Sequence, residues 1–253
     1  MKDKLAILYC VVFLIILGIC CFYKKDMNEP MENKKQWHEY VDVFYYINLD
    51  HREDRKNELV GELKKKGVPE NKIVRISAVN KKGQGDLGCS LSHAETMKQF
   101  TESNYKNCIV LEDDFVFMQE LDTVNSFFNR FFENEIPYDV CMLSANVIDT
   151  KPTKYEFLQK VNNAQTTSGF MVAKSYAPVL LENFKEGAKL LEKAYADTGK
   201  TEGSFCVDQF WKSLQPNGNW YLFYQYPRMG KQRASFSDIQ GGFLDYDVFT
   251  VQS

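Results

Sequence analysis

The residues best placed to do chemistry are Glu112, Asp113 and Asp114, three consecutive carboxylates that end the apolar run Cys108-Ile109-Val110-Leu111. Apolar residues bounded in this way read as a buried strand. Three acids at the carboxyl end of a strand do not ionise together without a cation. In open α/β sheets, ligands collect in the crevice outside those carboxyl ends. The trio therefore reads as a metal-diphosphate site, against the plainer alternative of an acidic turn on a solvated surface.

Other groups are placed to join it. Asn48-Leu49-Asp50-His51-Arg52-Glu53-Asp54-Arg55 directly follows the apolar run Val43 to Ile47, which puts it at the same sheet edge as the trio. Arg52 and Arg55 suit a base, a ribose or a phosphate, or else they are surface groups of a helical first turn in which Glu53 and Asp54 favour the macrodipole. Cys89-Ser90-Leu91-Ser92-His93 opens a helical segment. With Ser90 or Ser92 as the N-cap, free amides of its first turn would meet an anion. Gly83-Gln84-Gly85-Asp86-Leu87-Gly88 matches G-x-G-x-x-G, but it follows the second strand rather than the first, so it reads as a flexible loop and not as a dinucleotide fingerprint. No serine, histidine and aspartate order and no cysteine pairing suggests covalent hydrolase chemistry.

The elements that must position these groups alternate. Strands are expected at Val41 to Leu49, Lys72 to Val79, Cys108 to Leu111, Tyr138 to Leu143, Gly169 to Ala173 and Trp220 to Gln225. Helices are expected at Glu53 to Lys66, Ser90 to Thr101, Asp122 to Phe132, Ser175 to about Tyr195 and Val207 to Leu214. Strands alternating with helices predict an α/β fold around a mostly parallel sheet with right-handed crossovers.

The chain has 253 residues, of which 44% are hydrophobic and 14% aromatic, enough for a full core. Its net charge of -3 supplies no basic field for a nucleic-acid backbone. An anionic nucleotide would need local positive groups or a metal. Leu5 to Tyr23 is an uncharged stretch of about 19 residues, long enough to cross a bilayer core, and its exit lacks a small-x-small cleavage pattern. The organisation expected is a membrane anchor over residues 1–24, a stalk over 25–40 and one catalytic domain over 41–253. Flanking lysines on both sides leave the orientation open between a lumenal and a cytosol-facing domain. Cys108 and Cys141 sit inside apolar runs and read as buried thiols rather than a disulfide framework.

In order and spacing, these pieces resemble glycosyltransferase family 25, which includes lipooligosaccharide and procollagen galactosyltransferases. The resemblance spans about Phe44 to Tyr246 and rests on Ile47-Asn48-Leu49-Asp50 with Arg52 and Arg55, Gly88-Cys89 with Ser92-His93, and Leu111-Glu112-Asp113-Asp114. Thr167-Ser168-Gly169-Phe170, Val207-Asp208, and Gln232 with Ser237-Asp238-Ile239 complete it. It implies a GT-A-like, Rossmann-like fold and transfer of a hexose, galactose above others, from a UDP-sugar to a hydroxyl of a glycan or glycoprotein, with inversion. It also implies a divalent metal, manganese in the first place. With the anchor read from Leu5 to Tyr23, the expected location is a single-pass membrane protein facing the Golgi or ER lumen, or else the cytosol. Carried over by position, Asp114 contacts the metal, with Glu112 or Asp113 serving the ribose or metal-bound water. Asn48, Arg52 and Arg55 line the nucleotide side, Ser92 and His93 cap the pocket, and Gln232 and Asp238 close it. Asp208 is the candidate catalytic base, or simply a helix N-cap. Two departures stand out. No histidine follows His93 to complete a metal shell, and Asp245-Tyr246-Asp247 fits D-x-D only after all the sheet elements. The alternative function is a non-catalytic, membrane-anchored glycan-binding or assembly subunit with the same fold. A sugar-nucleotide hydrolase or nucleotidyltransferase is disfavoured, because the first-strand loop has no glycine.

Overall fold

The computed structural model describes residues 35–223, 228–237 and 242–244. The expected anchor, most of the stalk, Asp238 and Asp245-Tyr246-Asp247 lie outside the described residues. Among the described residues, no helix is long and apolar enough to cross a membrane.

One compact unit begins at Gln36. Its first element is a 3-10 turn, Trp37–Tyr40, which lies within the residues expected as stalk. Trp37 is fully buried, its ring set edge-on to Phe44, Phe117 and Phe128.

The first half of the unit follows the expected alternation: β1 (Val43–Asn48), α1 (Glu53–Lys65), β2 (Ile73–Ser77), α2 (Gly85–Glu102) and β3 (Asn107–Glu112). After the trio come β4 (Phe115–Phe117), α3 (Leu121–Glu133), β5 (Val140–Met142), β6 (Asn146–Pro152), β7 (Leu158–Gln165) and β8 (Gly169–Ala173). The chain continues through α4 (Ala177–Thr198), the short α5 (Val207–Phe210), β9 (Trp220–Phe223), β10 (Gly230–Gln232), β11 (Ser235–Ser237) and β12 (Gly242–Leu244).

Eight strands form the main sheet in the order β2-β1-β3-β8-β5-β9-β7-β6. β8 is antiparallel to both of its neighbours, and β7 to both of its own. The remaining six run in one direction, so the sheet is mixed but mostly co-directional. Alternate side chains of β1 and β3 feed cores on opposite faces. Val43, Tyr45, Ile47, Cys108 and Val110 pack with α2 and α4. Phe44, Tyr46, Ile109 and Leu111 pack with α1 and the phenylalanines of α3. Strands buried on both faces must be apolar throughout, which is why all six residues of β1 are buried. The parallel register sets Ile47 beside Glu112 and Asn48 beside Ser77. The carboxyl ends of β2, β1 and β3 thus open side by side.

Candidate active site

The acidic trio is held in place by the segment on its carboxyl side. The chain turns at once into β4, which pairs with β10 so that Phe115 faces Gln232. The Phe115 ring fits only because two neighbours lack a side chain. A Cβ on Gly169 would come within 2.5 Å of the ring, and one on Gly230 within 2.3 Å. Arg233 adds a clamp: its amide donates to the Asp114 carbonyl at 2.7 Å, and its guanidinium donates to the Asp113 carbonyl at 3.3 Å.

The three carboxylates then meet three different fates. Asp113 is spent on protein partners, its Oδ1 accepting from Arg55 Nη1 and its Oδ2 from Asn48 Nδ2, both at 2.8 Å. Burial pushes its carboxyl up, and these two donors oppose the push. Glu112 accepts from the Thr167 hydroxyl at 2.7 Å and meets His93 Nε2 at 3.1 Å, both through Oε1. Burial would raise it, but the hydrogen bond and charge of His93, with Thr167 and Arg55, hold it below the usual carboxylate range. Asp114 is left. It is 6% exposed, and its Oδ1 has no hydrogen-bond partner among the described residues. Arg55 Nη1 stands 3.6 Å from its Oδ2. Burial, with the charges of Glu112 and Asp113, pushes its carboxyl up to about 7 against Arg55 and Arg233.

All three acids line a pocket of about 430 Å³ at the ends of β2, β1 and β3. The expected residues Asn48, Arg55, Ser92, His93 and Gln232 line it too. Arg52 does not. Its guanidinium forks onto Asp54 at 2.9 and 3.0 Å, while its carbonyl accepts from Asn48. Ser90 and Ser92 are not N-caps, because α2 begins five residues before Ser90, at Gly85. Both hydroxyls donate back to carbonyls one turn earlier, and the Ser92 hydroxyl also accepts the Val79 amide at 2.8 Å. Nor is the glycine motif simply a flexible loop. Gly88 lies within α2 with the Val79 carbonyl 2.4 Å from where a Cβ would stand, so only glycine lets the helix approach the chain leaving β2.

Asp208 does not line the pocket. It is half-buried in α5, whose N-cap is Cys206, so the N-cap alternative falls to a different residue. Its Oδ2 accepts from Gln209 at 3.0 Å. Burial raises its carboxyl, the charge of Glu112 adds to this, and the Thr166 amide and Lys212 oppose it. Thr166 has φ 87°, a conformation that costs energy in a non-glycine residue and clusters at functional sites. It leads directly into Thr167, the partner of Glu112.

Lys81 and Lys82 also line the pocket, and sequence reasoning passed over them as mere spacers before the glycines. Their signal was position, two cations in the segment that joins β2 to α2, next to the strand that ends at Asn48.

Fold and pocket together define a class, an α/β protein that gathers carboxylates and cations around the carboxyl ends of adjacent strands, as phosphate-ester ligands require. The model of glycosyltransferase family 25, described as an LPS biosynthesis protein, matches residues 71–191, which bears out the resemblance over that segment. The match runs from the start of β2 through most of α4 and includes the trio. No curated protein matches the sequence. Among solved structures, a glycosyltransferase involved in glycosylation of the major capsid of PBCV-1 is similar at 12% identity, covering 77% of this chain and 94% of that one, with a TM-score of 0.45. Mannose-1-phosphate geranyltransferase from Thermus thermophilus is similar at 11% identity, covering 76% and 74%, with a TM-score of 0.40. A197 from STIV follows at 15%, 72% and 81%, with a TM-score of 0.40.

Proposed function

We propose that the chain transfers a hexose, galactose in the first instance, from a UDP-sugar to a hydroxyl of a glycan or glycoprotein, with inversion, and that residues 1–24 hold it on a membrane. The observation that carries this reading is Asp114, a buried carboxylate with an unpartnered oxygen in a pocket with two other acids. Such an oxygen fits a divalent cation, manganese in the first place, and Glu112 is the second residue placed to hold it. When bound, such an ion neutralises the charge that develops on a diphosphate leaving group.

The chain's own groups divide the remaining work. Asn48 and Arg55 fix Asp113 and so set the backbone from which Asp114 projects. Lys81 and Lys82 supply positive charge to the diphosphate from the β2 side. Gln232 closes the pocket from the tail, and Asp238, which the resemblance assigns to the same task, lies outside the described residues. Asp208 takes the acceptor hydroxyl's proton. Its upward shift suits a base that must bind a proton readily.

The test is binding of a panel of nucleotide sugars to the full chain, with and without manganese, for wild type and Asp114→Asn. Manganese-dependent binding of one UDP-sugar, lost in the variant, supports the reading and names the donor. A folded chain that binds none of them removes it. Protease protection in membranes tests the anchor and its orientation.

A further inference from the structure

We propose that Cys89, His93 and Glu112 form a second cation site in the pocket, selective for a soft divalent ion such as zinc. Cys89 and His93 are four residues apart in α2, which places them on one face of the helix. Glu112 arrives from the end of β3. One donor atom from each residue lies within 4.8 Å of the other two. Ligands on a tetrahedral zinc stand about 3.5 Å apart, given metal-ligand bonds of about 2.0 to 2.3 Å, so small side-chain adjustments close the set. Three protein donors leave a fourth position open. All three residues line the pocket, so that position faces the ligand space.

The surroundings favour a cation. His93 is fully buried and its Nδ1 has no partner among the described residues. Thr167 already orients Glu112 through Oε1, the outer-shell contact that metal-bound carboxylates require. Burial, with the acids Glu112, Asp208 and Asp86, pushes the Cys89 thiol up. Those same negative charges draw a divalent ion, whose own charge then reverses the balance at sulfur. Binding releases the thiol proton to solvent as the sulfur-zinc bond forms, with no change of oxidation state.

Glu112 is shared with the proposed site at Asp114, and the other donors, Cys89 and His93 here against Asp114 there, separate the two. Thiolate and imidazole select zinc, whereas a carboxylate oxygen suits magnesium or manganese. The consequence for catalysis rests on the proposed transferase reading. Zinc would draw Glu112 and His93 away from their mutual hydrogen bond and inhibit transfer, even with manganese present.

The experiment titrates the full chain with cobalt(II) as a spectroscopic stand-in, then with zinc. One equivalent of cobalt should give a thiolate-to-metal charge-transfer band that zinc bleaches. Cys89→Ser should lose the band and weaken zinc binding at least tenfold, and His93→Gln should weaken it likewise. Asp114→Asn should keep the band while losing manganese-dependent nucleotide-sugar binding, so the two sites stand or fall separately. Loss of the band in Cys89→Ser also distinguishes Cys89 from Cys206 and from the three cysteines before residue 35. A folded wild type without the band, or a band that survives Cys89→Ser, overturns the proposal.

Discussion

The two sides of Glu112 treat a buried carboxylate in opposite ways. On the side of β1 and α1, Asp113 and Asp114 stand within 3.6 Å of the Arg55 guanidinium, and one of them has an oxygen left over. On the side of α5, Asp208 is met by an amide, a neighbouring glutamine and a lysine network. There Lys212 donates to Gln165 and Gln209, at 3.0 and 2.6 Å. The first arrangement concentrates negative charge for a cation, while the second dilutes it and leaves one acid able to hold a proton. The two regions flank Glu112, and only the first lines the pocket.

The largest effect should come from the first region. Asp114→Asn should lower transfer on the order of 10⁴-fold, since it removes the oxygen that fits the metal and the metal's contribution is several kcal/mol. Stability should move the other way. The folded carboxyl titrates near 7 against 3.8 for an unperturbed aspartate, so the folded state binds the proton more tightly than the unfolded one. Its contribution is complete below about pH 3.8 and is lost as pH rises through about 7. Urea denaturation should therefore find the asparagine variant more stable than wild type at pH 8, with the gap closing toward pH 4. A gap that is the same at both pH values breaks the contrast between the two regions.

Asp208→Asn probes the second region. It should lower turnover about 10³-fold, within the range for a lost general base, and leave donor affinity unchanged. Single-turnover kinetics beside equilibrium binding separates the two quantities. Unchanged turnover would move the base elsewhere and reduce Asp208 to a structural member of the network.

Between the regions lies the packing that aims the trio. Gly169→Ala would drive a methyl group into the Phe115 ring, and overpacking of this kind costs about 1–3 kcal/mol. Denaturation should show that loss, and transfer should fall further than stability alone explains, because Phe115 is the next residue after Asp114. A stable variant with full activity would show that the trio does not depend on this wedge.

These particulars mark what the sequence discloses. The β1-α1-β2-α2-β3 half is legible because its signals are local: continuous apolar strands, a helix stop at Gly67, and acids directly after β3. The β6-β7 hairpin is hidden for a physical reason. Buried positions in β7 recur every third residue, at Leu158, Val161 and Ala164, and β6 leaves Val147 and Ile148 exposed, so neither strand alternates with period two. Glycines at 83, 85 and 88 mimic a loop and mask the true start of α2, whereas Gly88 serves helix packing. The division of labour within the trio is illegible altogether. Asp113 and Asp114 are neighbours of identical chemistry, and only the positions of Arg55 and Asn48 decide which is consumed. The wedge of Phe115 between Gly169 and Gly230 likewise joins residues far apart in the chain.

The smallest effect should come from the residues that local reading undervalued. Lys81 and Lys82 follow β2, while the acids follow β3, with β1 between them. At strand spacings of about 4.8 Å the two groups face one another across about 10 Å of pocket. Arg55 is already engaged by Asp113, which makes Lys81 and Lys82 the lysines of the pocket lining placed to meet an added diphosphate. Each lysine is exposed, and solvent screening limits an exposed charge pair to about 1 kcal/mol or less. Lys81→Gln with Lys82→Gln should therefore weaken UDP binding by about tenfold and leave uridine binding unchanged. The loss should shrink as salt rises. An equal loss for uridine and UDP would mean that the lysines shape the pocket rather than meet the phosphates, and the charge contrast would then rest on Asp114 and Asp208 alone.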